Sequence, residues 1–328
     1  MRVVFISDTN VWPLYGKATM QKLVRGGADA VWERVIPAGE ASKSWAVAGE
    51  LFQFLADQQI GRDAVIVALG GGVVSDLGGF VAATWKRGLR LVLCPTTLEA
   101  DIDAAIGGKT AINIPGGKNL VGTFHQPFLV AIDPACLTTL PRRDLCAAMA
   151  ESVKHALISS ADFLDWHEAN VDEILAIDPP VIMRLIEENI RIKADIVSRD
   201  ATEQWGLRVL LNLGHTIGHA IEECCSFTLR HGECVSLGLV AACRLSNRLG
   251  MLDSACLERI ERLLIRFRLP TRLENPIDPD RILFAMRNDK KARGGAARFV
   301  ILEDIGRPVV RGDLPETAVR EAYESLLT

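Results

Sequence analysis

The chain has 328 residues, more than one hydrophobic core usually organises, so two domains are expected. Apolar residues make up 49% and charged residues 24%, ordinary globular proportions. The formal net charge of −4 offers no basic excess of the kind that nucleic acid or a membrane surface demands, so an anionic ligand would need a local basic pocket.

Residues 3–7 form a short β-branched run that stops at the turn-like Asp8-Thr9-Asn10. This start reads as strand and turn rather than as a secretory leader, and no apolar run is long enough for a transmembrane helix. A helical stretch over 16–24 precedes a second strand at 31–36, which ends at Pro37-Ala38-Gly39. Residues 44–59 have helical periodicity. Residues 64–69 are wholly apolar, as in a strand covered on both faces, and run into Gly70-Gly71-Gly72 and a helix of small residues through Ala83. Another buried strand, 89–94, stops at Pro95. This alternation predicts an α/β domain with a Rossmann-like parallel sheet over 1–133.

Beyond Pro134 the pattern changes. Helices are predicted over 141–158, 178–198, 214–224, 232–249 and 253–267, with a strand-like run only at 298–302. An all-α domain over 134–328 is expected, with the boundary between Asp133 and Pro134. Eight scattered cysteines without a CxxC indicate neither a zinc ribbon nor a redox motif, and free thiols in a reducing cytoplasm are the expectation.

Two groups of residues carry chemistry. Strand–Gly70-Gly71-Gly72–helix suits phosphate, because glycines admit the anion to free N–H groups at a helix start. Ser75 stands at the third glycine position of GxGxxG, so the alternative is a tight turn without ligand. Gly107-Gly108-Lys109-Thr110 is no Walker A loop, since the first glycine would fall at Asp103. Lys109 and Lys118 are expected on glycine-rich loops that could meet phosphate. In the second group Glu151, His215, His219 and His231 lie on apolar helices. Two histidines and a carboxylate make a catalytic zinc set with open positions; His215 and His219 share a helix face, and spacing does not choose between them. HExxH is absent.

Eight ordered blocks then resemble the 3-dehydroquinate synthase family: PAGEASK, ALGGGVVSDLGGF, PTTL, DAAIGGKTAINIPGGKNLVGTFHQP, AESVKHALI, GLRVLLNLGHTIGHAIE, RHGE and DKKARGG. The resemblance implies a phosphate-eliminating lyase of the shikimate pathway of aromatic amino-acid biosynthesis. It would turn 3-deoxy-D-arabino-heptulosonate 7-phosphate into 3-dehydroquinate and phosphate, with NAD⁺ regenerated in each cycle and a divalent ion, zinc or cobalt. It implies metal ligation by Glu151, His215 and His231. It implies nucleotide contacts at Asp8, Asn10, Glu40, Lys43, Gly70, Gly71, Gly72, Val73, Val74, Ser75, Asp76, Thr96, Thr97, Lys109, Lys118, Cys136, Thr139, Leu140 and Asp144. Substrate or catalytic positions fall on Asp103, Lys109, Asn119, Lys154, Lys193, Arg208, Asn212, His219 and Lys290. Arg87 matches an arginine that the family inserts from a partner subunit, so a homodimer is implied.

Ser75, His155, Ala104 and Ala105 depart from the residues usual in the family, and the chain begins at what would be the family's second motif. Rival readings are a 2-deoxy-scyllo-inosose or valiolone synthase, a metal-dependent polyol dehydrogenase, and an inactive paralogue that binds nucleotide or only scaffolds a partner.

Overall fold

A computed structural model of the chain describes residues 1–203, 206–225, 228–292 and 298–327, with 288–292 described by helix path. The chain divides into two compact units, Met1–Leu140 and Pro141–Thr328.

The first unit holds β1 (Arg2–Asp8), α1 (Lys17–Arg25), β2 (Ala30–Ile36), α2 (Trp45–Asp57), β3 (Ala64–Gly70), α3 (Gly72–Thr84), β4 (Arg90–Pro95), β5 (Lys109–Ile114), β6 (Gly117–Phe124) and β7 (Leu129–Val130). Five of these strands form a parallel sheet in the order β2-β1-β3-β4-β7. The period of two along β1 divides its side chains between two cores. Val4 and Ile6 join Leu51, Leu55, Leu77 and Phe80 of α2 and α3 on one face. Val3 and Phe5 pack with Trp12, Met20 and Leu23 on the other. Central β3 is buried along its whole length, which explains its unbroken apolar sequence. Successive strands are laid down on opposite sides of β1, and that reversal opens a crevice beyond the carboxyl ends of β1 and β3.

Lys109 and Lys118 stand in strands rather than in the expected loops. β5 and β6 pair antiparallel across Pro115 and Gly116. Most of β6 is exposed, so its sequence lacks the apolar alternation that marks a half-buried strand.

The second unit contains α4 (Arg142–Ser159), α5 (Ala161–Ala169), α6 (Val171–Leu175), α7 (Pro179–Arg199), α8 (His215–Cys224), α9 (His231–Arg248), α10 (Ser254–Arg266), α11 (Pro279–Ala292) and α12 (Glu316–Glu324). α4 is buried from Leu145 to Ile158, which makes it the central helix. The strand-like run at 298–302 becomes one arm of a hairpin, β8 (Phe299–Asp304) with β9 (Arg307–Arg311), so this helical unit carries one small antiparallel sheet. Asp133 and Pro134 open a 3-10 turn, Pro134–Thr139, inside the first unit. Among the described residues no helix is long and apolar enough to cross a membrane, and no cysteine forms a disulfide.

Candidate active site

In the second unit, glycines bring three helices to close quarters. A Cβ on Gly232 would lie 1.9 Å from the Ala147 carbonyl oxygen, so only glycine lets the start of α9 rest on the α4 backbone. Ala147 and Glu151 are one turn apart on α4, and Gly232 follows His231, so this approach brings His231 to Glu151. Similarly, a Cβ on Gly238 would meet the Gly214 carbonyl oxygen at 1.8 Å, which fixes α9 against the start of α8. Two of three potential ligands therefore sit at helix starts placed by backbone contact.

The result is a compact donor set. Glu151 Oε1 lies 3.3 Å from His215 Nε2 and 3.3 Å from His231 Nε2. Ring nitrogens of His215, His219 and His231 all lie within 4.8 Å of one another. His215 Nδ1 is 3.1 Å from the Leu213 carbonyl oxygen, which can only accept, so Nδ1 carries the proton. His231 Nδ1 donates in the same way to the Glu222 carboxylate at 3.3 Å. Both Nε2 atoms therefore turn lone pairs toward a carboxylate oxygen. Lone pairs so arranged repel unless a cation lies among them. Donors about 2.0 Å from a tetrahedral ion stand about 3.3 Å apart, so the residues fit a divalent metal.

Glu151 is 1% exposed and forms a buried ion pair with Lys154 one turn along α4. Burial acts to raise its pKa, but the Lys154 ammonium outweighs it and holds the carboxyl well below the usual range. The ligand is thus ionised at neutral pH. Lys193 on α7 and Arg208, in the turn Arg208–Asn212 that leads into α8, are buried cations of the same unit. Arg208 Nη1 donates to the Ala201 carbonyl, and its backbone N–H to Asp200. Asn212 ends that turn, half-buried. Asp144, in the first turn of α4, ion-pairs with Arg230 at 2.8 Å, two turns from Glu151. The side chain of Lys290 lies outside the described residues.

The expected nucleotide residues of the first unit gather at the carboxyl ends of its strands. Asp8 closes β1, and its Oδ1 accepts from the N–H groups of Asn10 and Val11 at 2.8 and 2.9 Å. Gly70 to Asp76 lead from β3 into α3, and Thr96 and Thr97 follow β4. Gly71 packs against Thr97, where a Cβ would come within 3.0 Å of the methyl. Buried Lys43 ion-pairs with Asp76. Glu40 accepts from Asn113 at 2.7 Å and lies 3.7 Å from Lys118 Nζ, while Asn113 Oδ1 accepts from the Asn119 N–H. Cys136, Thr139 and Leu140 belong to the closing turn of the unit, pinned by a Tyr15 hydroxyl 2.5 Å from Thr139 Oγ1. Asp103 lies in the turn after β4, and Lys109 opens β5.

Arg87 does not join this group. It lies exposed before β4, at the amino end of the strands, on a turn with positive φ at Lys86, Arg87 and Gly88. The length of a six-residue strand, about 20 Å, separates it from the carboxyl-end residues of its own unit.

The 3-dehydroquinate synthase N-terminal profile matches residues 33–147, and the C-terminal profile matches 148–292. The chain belongs to the 3-dehydroquinate synthase family. It is 46% identical over 326 residues to the 3-dehydroquinate synthase of Symbiobacterium thermophilum, covering 99% of this chain and 90% of that protein. Its fold is shared with 2-epi-5-epi-valiolone synthase from Streptomyces hygroscopicus subsp. jinggangensis, solved with NAD⁺ and Zn²⁺ bound (TM-score 0.92, 29% identity, 99% of this chain and 90% of that one). It is shared equally with a 2-deoxy-scyllo-inosose synthase complexed with carbaglucose-6-phosphate, NAD⁺ and Co²⁺ (TM-score 0.91, 27% identity, 99% and 91%).

Sequence reasoning missed Glu222, Tyr15 and Asn113. Glu222 had one signal, its place three residues after His219 on the face that carries the histidines. Nothing local marks Tyr15 or Asn113, whose partners lie 124 and 73 residues away.

Proposed function

We propose that this chain converts 3-deoxy-D-arabino-heptulosonate 7-phosphate to 3-dehydroquinate and phosphate, as a cytoplasmic homodimer of the shikimate pathway that uses NAD⁺ and one zinc or cobalt ion. The observation that carries the reading is the donor set of Glu151, His215 and His231 within a chain 46% identical to a 3-dehydroquinate synthase. The identities to the two sister cyclases, 29% and 27%, are lower, which favours dehydroquinate over their products.

When bound, NAD⁺ supplies a reversible hydride acceptor, and the divalent ion supplies positive charge for the substrate's alcohol oxygens. Glu151, His215 and His231 would hold the ion. Lys154 keeps Glu151 ionised, and the Leu213 carbonyl and Glu222 keep the two imidazoles in the ligating tautomer. Lys193 and Arg208 bind the substrate's carboxylate and phosphate; Asp103, Lys109, Asn119, Asn212, His219 and Lys290 complete the substrate positions. Gly70, Gly71 and Gly72 admit the pyrophosphate to the first N–H groups of α3. Asp8, Asn10, Glu40, Lys43, Val73, Val74, Ser75, Asp76, Thr96, Thr97, Lys118, Cys136, Thr139, Leu140 and Asp144 complete the nucleotide positions. Residues that hold the substrate in a fixed orientation would serve several steps of the reaction.

Incubation with the heptulosonate phosphate, Zn²⁺ and NAD⁺ at a hundredth of the substrate concentration tests this reading. Phosphate and dehydroquinate should form in equal amounts, many turnovers per NAD⁺, without NADH accumulating. Stoichiometric NADH with no phosphate would instead establish a polyol dehydrogenase.

Arg87 supports the dimer: it is exposed, remote from the nucleotide residues of its own unit, and without an ion pair among the described residues. Arg87→Ala should lose activity yet keep metal and nucleotide. Mixed with inactive His215→Ala under conditions of subunit exchange, it should recover about one quarter of wild-type activity, because half the dimers are mixed and each has one intact site. Full activity of Arg87→Ala as a monomer excludes the shared site.

A further inference from the structure

We propose that Glu222 is a positioning residue for the metal centre, orienting His231 through Nδ1 and strengthening it as a ligand. This rests on the reading that Glu151, His215 and His231 hold the ion. Glu222 lies in the last turn of α8, three residues after His219 and seven after His215, and is 8% exposed. Its Oε2 is 3.3 Å from His231 Nδ1, while His231 Nε2 is 3.3 Å from Glu151 Oε1, so one imidazole joins the two carboxylates.

The arrangement is built by the α8–α9 packing. A Cβ on Gly218 would come within 2.8 Å of the Cys234 carbonyl oxygen, so the helices touch along their backbones there. One turn further along α8 is Glu222, and nearly one turn back along α9 is His231. The contact at Gly218 thus delivers the carboxylate to Nδ1. The two histidines are unequal in consequence. His215 donates to a neutral backbone carbonyl, His231 to a carboxylate. A charged acceptor draws the Nδ1 proton more strongly, makes Nε2 more basic, and excludes the tautomer that would point an N–H at the ion.

The test uses the full chain purified with NAD⁺, as wild type, Glu222→Gln, Glu222→Ala and His231→Ala. Metal affinity is read by chelator competition with Co²⁺ and Zn²⁺, ligand geometry by the visible Co²⁺ spectrum, and folding by the Tm of the metal-free protein. Glu222→Gln keeps the volume and should weaken metal binding about 10- to 100-fold, with an altered Co²⁺ spectrum, unchanged NAD⁺ affinity and a metal-free Tm close to wild type. Glu222→Ala should weaken binding at least as much. Metal affinity within twofold of wild type in Glu222→Gln would overturn the proposal, whatever its Tm. Failure of the underlying reading looks different: His231→Ala would then bind metal as tightly as wild type.

Discussion

Glu151→Gln is expected to empty the metal site and to lower kcat/KM by about 10³-fold or more. That is the consequence of losing several kcal/mol of charge stabilisation at the reacting oxygens. Glutamine preserves the volume of a side chain that is 1% exposed, so packing is not the variable. Charge is. Oε1 is the atom 3.3 Å from both His215 Nε2 and His231 Nε2, and a neutral amide there is a much poorer ligand. A second effect follows from Lys154, also 1% exposed and paired with Glu151. Removing one partner of a buried ion pair strands the other, which costs about 3–5 kcal/mol. The variant should therefore lose both metal, measured by elemental analysis, and several degrees of Tm. A lower Tm with the metal retained would show that Glu151 serves only as the counter-ion of Lys154.

The architecture was legible where the physics is local. The apolar run of β3, the glycines after it and the 3.6-residue pattern of α4, α7, α8 and α9 report burial and backbone geometry directly in residue type. The donor set was half legible. Residue chemistry nominated Glu151, His215, His219 and His231, but spacing could not separate His215 from His219, because residues four apart share a helix face. His215 Nε2 comes within 3.3 Å of Glu151 Oε1 through the way α9 lies closely on α4 and α8. That closeness depends on Gly232 and Gly238, and a glycine within a helix reads in sequence only as a weak position. The β5–β6 hairpin escaped notice because solvent covers most of β6. Burial of an acid is equally illegible: Glu99 and Asp101 are near neighbours in sequence, yet only Asp101 is buried.

That burial sets an alkaline limit. Asp101, in the turn after β4, is 1% exposed, and neither carboxyl oxygen has a hydrogen-bond partner among the described residues. Burial, with the Asp133 carboxylate adding repulsion, pushes its pKa up to about 8. The folded protein therefore keeps a proton that the unfolded chain releases near pH 4, and the resulting stability is complete below that value and lost as pH rises through 8. At about 1.4 kcal/mol per tenfold change in proton affinity, the loss is on the order of 5 kcal/mol. His167 produces the opposite limb. Its Nδ1–H donates to the Phe163 carbonyl, its Nε2 accepts from Ser152, and burial brings its pKa down to about 4. The stability from keeping this ring neutral is present above pH 6.5 and is lost as pH falls through 4. Asp101→Asn removes only the alkaline limb. Near pH 5 the variant and the wild type should melt within a few degrees of each other, since an amide and a protonated acid are alike in charge and shape. By pH 9 the variant should be the more stable by several degrees, with the acid limb unchanged. Calorimetric melting curves at pH 5, 7 and 9 decide the matter, and Tm differences that stay constant across the three would show that Asp101 carries no buried proton.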